Sequence, residues 1–276
     1  FHKSLNLGLS KLRQLLHLSA SSINSYIECS LQYKLSKIDH IKQEFTADVL
    51  IFGSAIHRVL ESFHESRMYK EILPLSIILK TFEMFWEDEL SKADNVRFKT
   101  GCDAKSLLNT GKSLLTTYYD QYPKDDYRVL ATEIPFAFTV KGIPESIIGA
   151  LDLLEEDEDG TIIITDHKTA GRAFSIDEVE KNMQLTIYYM AMKQQYPDRE
   201  IILKLDTLIK TKKPRFEQFY TYRSEIDEIR TIKKIKAVWQ GIQNGTFIPN
   251  DTSWKCPGCA YQNHCNEWFE QQEEAV

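Results

Sequence analysis

The sequence lacks a long apolar run, since none of its segments approaches the roughly 18 residues that a membrane-spanning helix needs. The opening stretch FHKSLNLGLSKLRQLLHLSAS also lacks the apolar core of a secretory signal peptide, so we expect a cytoplasmic protein. The first residue is not methionine, and we therefore expect the chain to be trimmed at its start. Internal repeats and low-complexity linkers are also missing.

Basic residues are outnumbered, because 34 lysines and arginines face 40 aspartates and glutamates and the net charge is -6. This balance argues mildly against a large nonspecific nucleic-acid surface. It still permits a basic groove on an acidic body, and acidic metal ligands would themselves lower the net charge. The 276 residues, 42% of them hydrophobic, are enough to form the core of one large domain.

Cysteine is rare but unusually placed. Cys256, Cys259 and Cys265 form the pattern C-x2-C-x5-C, whereas Cys29 lies near the start and Cys102 is left over as an expected free thiol. Cytosolic cysteines in such a pattern bind metal more often than they form disulfides. We call Cys29 and the three C-terminal cysteines the cysteine clasp, because one shared site would join both ends of the chain. Four thiolates suit either zinc or an iron–sulfur cluster, and their spacing does not decide between the two.

The apolar pattern changes from helical to strand-like at about Arg128. Helical spacing predicts helices over residues 18–37, 52–68, 75–90, 104–122, 179–196 and 224–244. Strand-like runs are VLATEIPFAFTV, SIIGALDLLEED, TIIITDHKTA, EIILKLDTLIK and RFEQFYTYR. The acidic turn DEDG between the second and third runs indicates a hairpin. This order predicts an α/β fold with a sheet flanked by helices.

Charged residues end two of these predicted strands. Asp152 follows the apolar part of one strand, and Asp166 and Lys168 end the next. If the strands pair as a hairpin, the two carboxylates meet, and Mg²⁺ or Mn²⁺ would offset their repulsion. A lysine beside such an ion could assist the attack of water on a phosphodiester. Each residue alone could equally be a solvated strand end, so the prediction depends on their combination.

Five short motifs occur in a fixed order along the chain. They are G-x-x-x-H (Gly53 to His57), a strand glutamate (Glu133), G-x-x-D (Gly149 to Asp152), D-x-K (Asp166 to Lys168) and Q-x-x-x-Y (Gln184 to Tyr188). In this order they resemble the RecB-like branch of the PD-(D/E)XK nucleases. The cysteine clasp is similar to that of the iron–sulfur subgroup, which includes the AddB nuclease domain and the CRISPR-adaptation exonucleases. The resemblance extends from about Leu18 to Cys265.

The resemblance implies a restriction-endonuclease-like fold, with a central mixed sheet flanked by helices and a helical N-terminal insertion. We therefore expect a single nuclease domain over residues 18–270. Its parts would be a helical portion at 52–125, a catalytic sheet core at 128–222, and the clasp at Cys29 and 254–266.

The resemblance also implies the roles of the site residues. His57, Asp152 and Asp166 would be metal ligands together with the backbone carbonyl of His167, and Lys168 would be the catalytic lysine. The family often has glutamate where Asp166 stands. Without the resemblance, a histidine beside an apolar helical stripe would be an ordinary core or surface residue.

Three further residues of the motifs have roles outside the principal set of metal ligands. Glu133 resembles an acidic catalytic residue of the family, acting beside the ligands or at a second metal, and an exposed strand carboxylate is an equal alternative. Gln184 and Tyr188 lie four residues apart, so one helical face carries both. The resemblance places that pair near the scissile phosphate or the DNA strand. As cofactors, it implies Mg²⁺ or Mn²⁺ at the site and a structural 4Fe–4S cluster on the clasp.

We predict a Mg²⁺- or Mn²⁺-dependent deoxyribonuclease, an exonuclease or end-processing enzyme that favours single-stranded DNA ends. The alternative is a catalytically silent module of the same fold that binds DNA ends or docks onto a partner. A helicase, a CRISPR-adaptation protein or a recombination protein is the expected partner. The sequence has no Gly-x-x-x-x-Gly-Lys motif, so any unwinding must come from that partner.

Two further features of the sequence each allow two roles. The basic stretch 210–215 is expected to be a solvated hairpin tip, with a DNA-phosphate contact as the alternative. Tyr118, Tyr119 and Trp254 could stack on bases, but we expect each to pack in the core.

Overall fold

A computed structural model of the chain describes residues 18–123 and 127–270. The helices are α1 (Ala20–Glu28), α2 (Ser30–Tyr33), α3 (Asp48–Met68), α4 (Leu75–Lys92), α5 (Ala104–Gln121), α6 (Ile176–Glu180), α7 (Met183–Gln195), α8 (Glu225–Gln243) and α9 (Gln262–Glu270). The strands are β1 (Thr46–Ala47), β2 (Val96–Arg97), β3 (Arg128–Phe138), β4 (Ile147–Glu156), β5 (Ile162–Ala170), β6 (Ile201–Ile209) and β7 (Arg215–Thr221). None of the described helices is long and apolar enough to cross a membrane.

The described residues divide into two compact units. The sheet unit contains residues 45–136 and 150–228, and the cysteine unit contains residues 18–44, 137–149 and 229–270. All predicted metal ligands and catalytic residues belong to the sheet unit, whereas the four clasp cysteines belong to the cysteine unit.

A mixed five-stranded sheet has the order β3-β4-β5-β6-β7. β5 pairs antiparallel with β4 and parallel with β6, and β6 pairs antiparallel with β7. β5 and β6 are buried along most of their length, which explains why their sequences are nearly continuous apolar runs. The predicted α/β fold with a mixed sheet flanked by helices is therefore confirmed.

The β4–β5 connection is the hairpin that the acidic turn predicts. The Asp157 side chain accepts hydrogen bonds from the backbone N–H groups of Asp159 (3.1 Å) and Thr161 (2.7 Å). Gly160 has a φ of 85°, a left-handed conformation that glycine adopts without steric cost. Because this turn fixes the pairing register, it also fixes which residues of β4 and β5 face each other.

The helical portion of the sheet unit packs around a core of aromatic side chains. Phe52 of α3 contacts Phe82 and Trp86 of α4 in edge-to-face arrangements, and all three are buried. Gly111 of α5 lies where a Cβ would come within 2.1 Å of the Phe82 ring, so the lack of a side chain there permits the close packing of α5 on α4. This core supports α3, the helix that carries His57.

Two of the predicted helices are interrupted. The helix expected over residues 18–37 ends at Glu28, and extended Cys29 separates it from α2 and the π-helix Lys34–Ile38. The Cys29 sulfur accepts a hydrogen bond from the Gln32 N–H at 3.5 Å and so caps α2. The helix expected over 179–196 is likewise divided into α6 and α7, because the Asn182 side chain caps α7.

The cysteine unit has a small core of its own beside the clasp. Leu31, Leu35 and Tyr261 form a buried cluster, against which Cys29, Cys259, Cys265 and Trp268 pack. Backbone hydrogen bonds join the two chain segments that contribute these residues, including Leu31 N–H to the Ile248 carbonyl at 3.2 Å. The prediction that Trp254 packs in a core is wrong, since that residue is 85% exposed.

Candidate active site

α3 and β4 bring the first two predicted ligands together. His57 lies in the middle of α3 and Asp152 lies on β4, and His57 Nδ1 is 3.5 Å from Asp152 Oδ2. Both side chains are partly shielded, with 31% and 13% of their surface exposed. A helix packed on a sheet thus places an imidazole beside a carboxylate that is distant in sequence.

The hairpin register brings the second aspartate to the same end of the sheet. Leu153 pairs with Thr165, and Asp152 and Asp166 each lie one position beyond that pair. Asp166 is fully buried, and both of its oxygens lie 2.9 Å from Lys168 Nζ. The D-x-K residues therefore form an ion pair with each other in this structure.

The backbone of His167 contacts the Asp152 carboxylate. Its N–H donates a hydrogen bond of 2.7 Å to Asp152 Oδ2. The same peptide segment carries the carbonyl that the resemblance assigns as a metal ligand. The orientation of the β5 backbone at His167 therefore determines where the Asp152 carboxylate is held.

Glu133 approaches this site from β3. The ligand atoms of His57, Glu133 and Asp152 all lie within 4.8 Å of one another, which is a spacing that one metal ion can bridge. Among the described residues, Asp166 is not part of this group and pairs with Lys168 instead. Glu133 has a φ of 45°, an unusual backbone conformation for a residue with a side chain. Glu133 is exposed, as the strand-carboxylate alternative predicts, yet its carboxylate lies within reach of the other two ligands.

Gln184 and Tyr188 lie on α7, as the Q-x-x-x-Y motif predicts. The Gln184 amide donates a 2.6 Å hydrogen bond to the Tyr188 hydroxyl. Tyr188 is buried, and burial raises the pKa of its phenol, with Asp166 and Asp152 adding to the shift.

The family description "PD-(D/E)XK nuclease superfamily" matches residues 17–266. The chain belongs to the PD-(D/E)XK nuclease superfamily. Membership indicates that the protein is a nuclease, a hydrolase of phosphodiester bonds. Asp166 and Lys168 fit the D-x-K part of the signature in the superfamily name, and Asp152 lies on the preceding strand.

One solved structure agrees with this fold. The chain is similar to a crystal structure of a candidate exonuclease from Eubacterium rectale, with a TM-score of 0.57, 10% identity, and coverage of 88% of this chain and 87% of the other. A second structure, SSO0001, gives a TM-score of 0.39 and 17% identity, with coverage of 84% and 91%. A comparison with curated proteins finds no match.

The donor set of this PD-(D/E)XK site fits a divalent cation. Burial lowers the pKa of His57, and the Lys168 charge lowers it further, so its imidazole is neutral and can donate a lone pair. Burial raises the pKa of Asp152 well above its usual value, and Asp166 raises it further. The surrounding protein also raises the pKa of Glu133, with Glu61 adding to the effect. A cation would relieve the crowding of these carboxylates, and imidazole with carboxylate oxygens suits Mn²⁺ or Mg²⁺.

We expect Mn²⁺ affinity to rise with pH. The protonated Asp152 carboxyl cannot bind a cation, and its pKa is raised, so the ion must displace a proton at pH values where an ordinary aspartate is already ionised. The apparent Kd should fall by up to about tenfold per pH unit below that pKa. Electron paramagnetic resonance titrations of Mn²⁺ at several pH values, without DNA, measure this slope. Asp152→Asn is the control and should bind weakly without the steep slope, whereas a wild-type Kd that stays constant from about pH 5 to pH 8 would contradict the prediction.

The sequence did not single out a group of buried charges next to the site. Glu155 and Lys204 are fully buried and lie 3.1 Å apart, and Arg67 donates a 2.8 Å hydrogen bond to Glu155. The sequence does carry an indication of these buried charges, because Lys204 lies inside the largely apolar strand IILKLDTLI. Such a residue must find a partner when the strand is buried.

Proposed function

We propose that this protein is a Mg²⁺- or Mn²⁺-dependent deoxyribonuclease that removes nucleotides from, or trims, single-stranded DNA ends. One observation carries the proposal. The ligand atoms of His57, Glu133 and Asp152 lie within 4.8 Å of one another, beside the Asp166–Lys168 ion pair. A metal-ligand group and a lysine at one sheet edge are the parts that phosphodiester hydrolysis needs.

In the proposed site, His57, Asp152, Asp166 and the His167 carbonyl would hold the cation, with Glu133 as an additional carboxylate. The cation, when bound, supplies activation of water and stabilisation of the phosphoryl charge. Lys168 Nζ would orient the attacking water and offset developing negative charge. Gln184 and Tyr188, whose side chains are hydrogen-bonded to each other, would position the scissile phosphate, as the resemblance implies.

The basic stretch 210–215 supports a DNA substrate. Residues 210–214 form the β6–β7 connection and Arg215 begins β7. The Lys210 N–H donates to the carbonyl of Ala170, the last residue of β5. Lys212, Lys213 and Arg215 are exposed. The stretch therefore adjoins the strand that carries Asp166 and Lys168, where it could contact the phosphates of a bound strand.

Digestion of end-labelled DNA tests this function. Oligonucleotides labelled at the 5′ or the 3′ end are incubated with the protein and Mn²⁺, in single-stranded and double-stranded form. Stepwise shortening of the single strand, abolished by EDTA, is the expected result. Cleavage of closed circular DNA at the same rate would contradict action at ends. DNA binding without any metal-dependent cleavage would instead establish the catalytically silent module.

We further propose that the chain belongs to the RecB-like iron–sulfur branch, similar to the AddB nuclease domain and the CRISPR-adaptation exonucleases, and that residues 18–270 act as one cytoplasmic nuclease domain. Its partner would be a helicase, a CRISPR-adaptation protein or a recombination protein. The order of the five motifs and the cysteine clasp support this placement.

The environment of the clasp supports a bound metal centre, and the similarity to the iron–sulfur branch leads us to propose a 4Fe–4S cluster there. Burial raises the pKa of Cys259 and of Cys265, and neighbouring clasp cysteines raise both further, so a positively charged group would favour these two residues as thiolates.

We expect Cys259→Ser to remove iron and sulfide from the protein. The wild type, purified without oxygen, should be brown and contain both elements, since thiolates hold iron–sulfur clusters. Cys102→Ser is the matched control, because Cys102 lies outside the clasp and packs against the core of the sheet unit. Metal analysis and sulfide determination measure the outcome. A colourless wild type with stoichiometric zinc would overturn the iron–sulfur proposal.

A further inference from the structure

A group of polar side chains is buried directly behind the candidate metal site. Its members are His64, Arg67, Tyr118, Tyr122, Glu155 and Lys204, and we call them the polar cluster. Each is at most 8% exposed. Burying so many ionisable groups is costly, and apolar side chains of similar volume would serve a purely structural core as well or better. A role in positioning neighbouring residues would explain why the polar cluster is polar.

Hydrogen bonds orient the His64 ring on both sides. Arg67 donates to His64 Nδ1 at 2.9 Å, and His64 Nε2 lies 2.8 Å from the Tyr118 hydroxyl. Arginine can only donate, so Nδ1 must be the accepting nitrogen and Nε2 carries the proton. Burial lowers the pKa of His64 well below its usual value, as do the nearby His167 and Arg67, which agrees with this neutral tautomer.

Arg67 is itself held by the rest of the polar cluster. It donates to Glu155 Oε1 at 2.8 Å, and Lys204 binds the other oxygen of Glu155 at 3.1 Å. Tyr122 donates to Glu155 at 3.1 Å. Each of these hydrogen bonds joins two buried groups. Several elements of the sheet unit therefore set the position of the His64 ring.

The His64 ring stacks on the ring of His167. Their centroids are 5.3 Å apart and their planes differ by 28°. Within the described part of the chain, His167 Nε2 makes no hydrogen bond. Its Nδ1 lies 3.7 Å from Asp152 Oδ2 and its Nε2 lies 3.9 Å from Asp206 Oδ2, both beyond hydrogen-bond distance. Ring packing therefore holds the His167 side chain, and His64 is the neighbour stacked on its face.

We infer that His64 is a positioning residue for the metal site. By holding the His167 ring, it fixes the β5 backbone whose N–H binds Asp152 at 2.7 Å. This inference rests on the proposed function, since it concerns how Asp152 and the His167 carbonyl are presented to the cation. Residues that orient metal ligands from behind commonly contribute 10- to 100-fold to metal affinity.

Mn²⁺ binding to His64→Gln tests the inference without any cleavage assay. Glutamine can still accept from Arg67 and donate to Tyr118, but it has no ring to stack on His167. The Kd for Mn²⁺, measured by electron paramagnetic resonance, should rise about 10- to 100-fold. Hydrogen exchange of the His167 amide should accelerate. Affinity for single-stranded DNA in EDTA should stay within about twofold of the wild type, because the change lies behind the ligands.

Ile78→Ala controls for loss of stability, because Ile78 is a buried residue of α4 in the helical core. It should lower Tm yet keep Mn²⁺ affinity within about twofold. If His64→Gln does not fold, His64→Leu, which also removes the ring that stacks on His167, is measured with the same readouts, and its Mn²⁺ Kd should also rise.

The outcomes separate the two claims. A folded His64 variant that binds Mn²⁺ like the wild type, while Asp152→Asn binds it only weakly, overturns the positioning role and leaves the proposed function intact. A wild type that binds no Mn²⁺ overturns both. A higher Mn²⁺ Kd in the His64 variant, together with an unchanged Kd in Ile78→Ala, supports both.

Discussion

Lys168→Met should lower the rate of single-strand cleavage by about 10²- to 10⁴-fold at saturating Mn²⁺. Lys168 Nζ lies 2.9 Å from both oxygens of Asp166, so its ammonium is beside the carboxylate of the D-x-K motif. Burial opposes the charge of Lys168, but Asp166 and Asp152 outweigh it and raise the pKa of the ammonium. With a bound cation, the charge of these carboxylates would be partly neutralised, the pKa of Lys168 would fall again, and its ammonium could take part in proton transfer. Methionine keeps the length of the side chain and removes this chemistry.

Single-turnover cleavage of end-labelled single-stranded DNA measures the effect, and DNA binding in EDTA is measured in parallel. Binding should change by no more than a few-fold, since the loss concerns the transition state rather than the bound substrate. Lys181→Met is the matched control, because Lys181 forms an exposed i,i+4 ion pair with Asp177 in the same unit. Cleavage by Lys168→Met within about threefold of the wild type would remove this residue from the chemistry.

Glu155→Gln should destabilise the protein by about 3–5 kcal/mol, a loss of roughly 10 °C in Tm. Glu155 is fully buried and accepts from both Arg67 and Lys204. The substitution is nearly isosteric, so packing is retained while two buried cations lose their shared carboxylate. Removing one partner of a buried ionic network leaves uncompensated charge, which explains the large expected cost.

Denaturant unfolding followed by circular dichroism measures this loss. Glu217→Gln, which disrupts the more exposed Arg215–Glu217 pair of the same unit, is the control and should cost no more than about 1 kcal/mol. The double variant Glu155→Gln, Lys204→Met should regain part of the stability, because it removes one of the stranded cations. A Glu155→Gln protein as stable as the control would show that the buried carboxylate is dispensable.

The local features of the fold were predictable from the sequence. The DEDG turn forms the β4–β5 hairpin, and the apolar runs of β5 and β6 form the buried strands of the mixed sheet. These outcomes depend on turn chemistry and on the spacing of apolar residues, which act over a few neighbours. Helix boundaries were less predictable, since the side chains of Cys29 and Asn182 cap new helices inside apparently continuous patterns.

The motifs likewise pointed, from the sequence alone, to most residues of the candidate site. They did not predict which of these residues contact one another. Only the tertiary structure placed Glu133 within reach of His57 and Asp152, paired Asp166 with Lys168, and stacked His64 on His167. The reason is that strand register and helix packing bring together side chains far apart in sequence, and a register shift of one residue would turn each strand residue to the opposite face. The sequence by itself determined which chemical groups are available, whereas the packed sheet decided which of them meet.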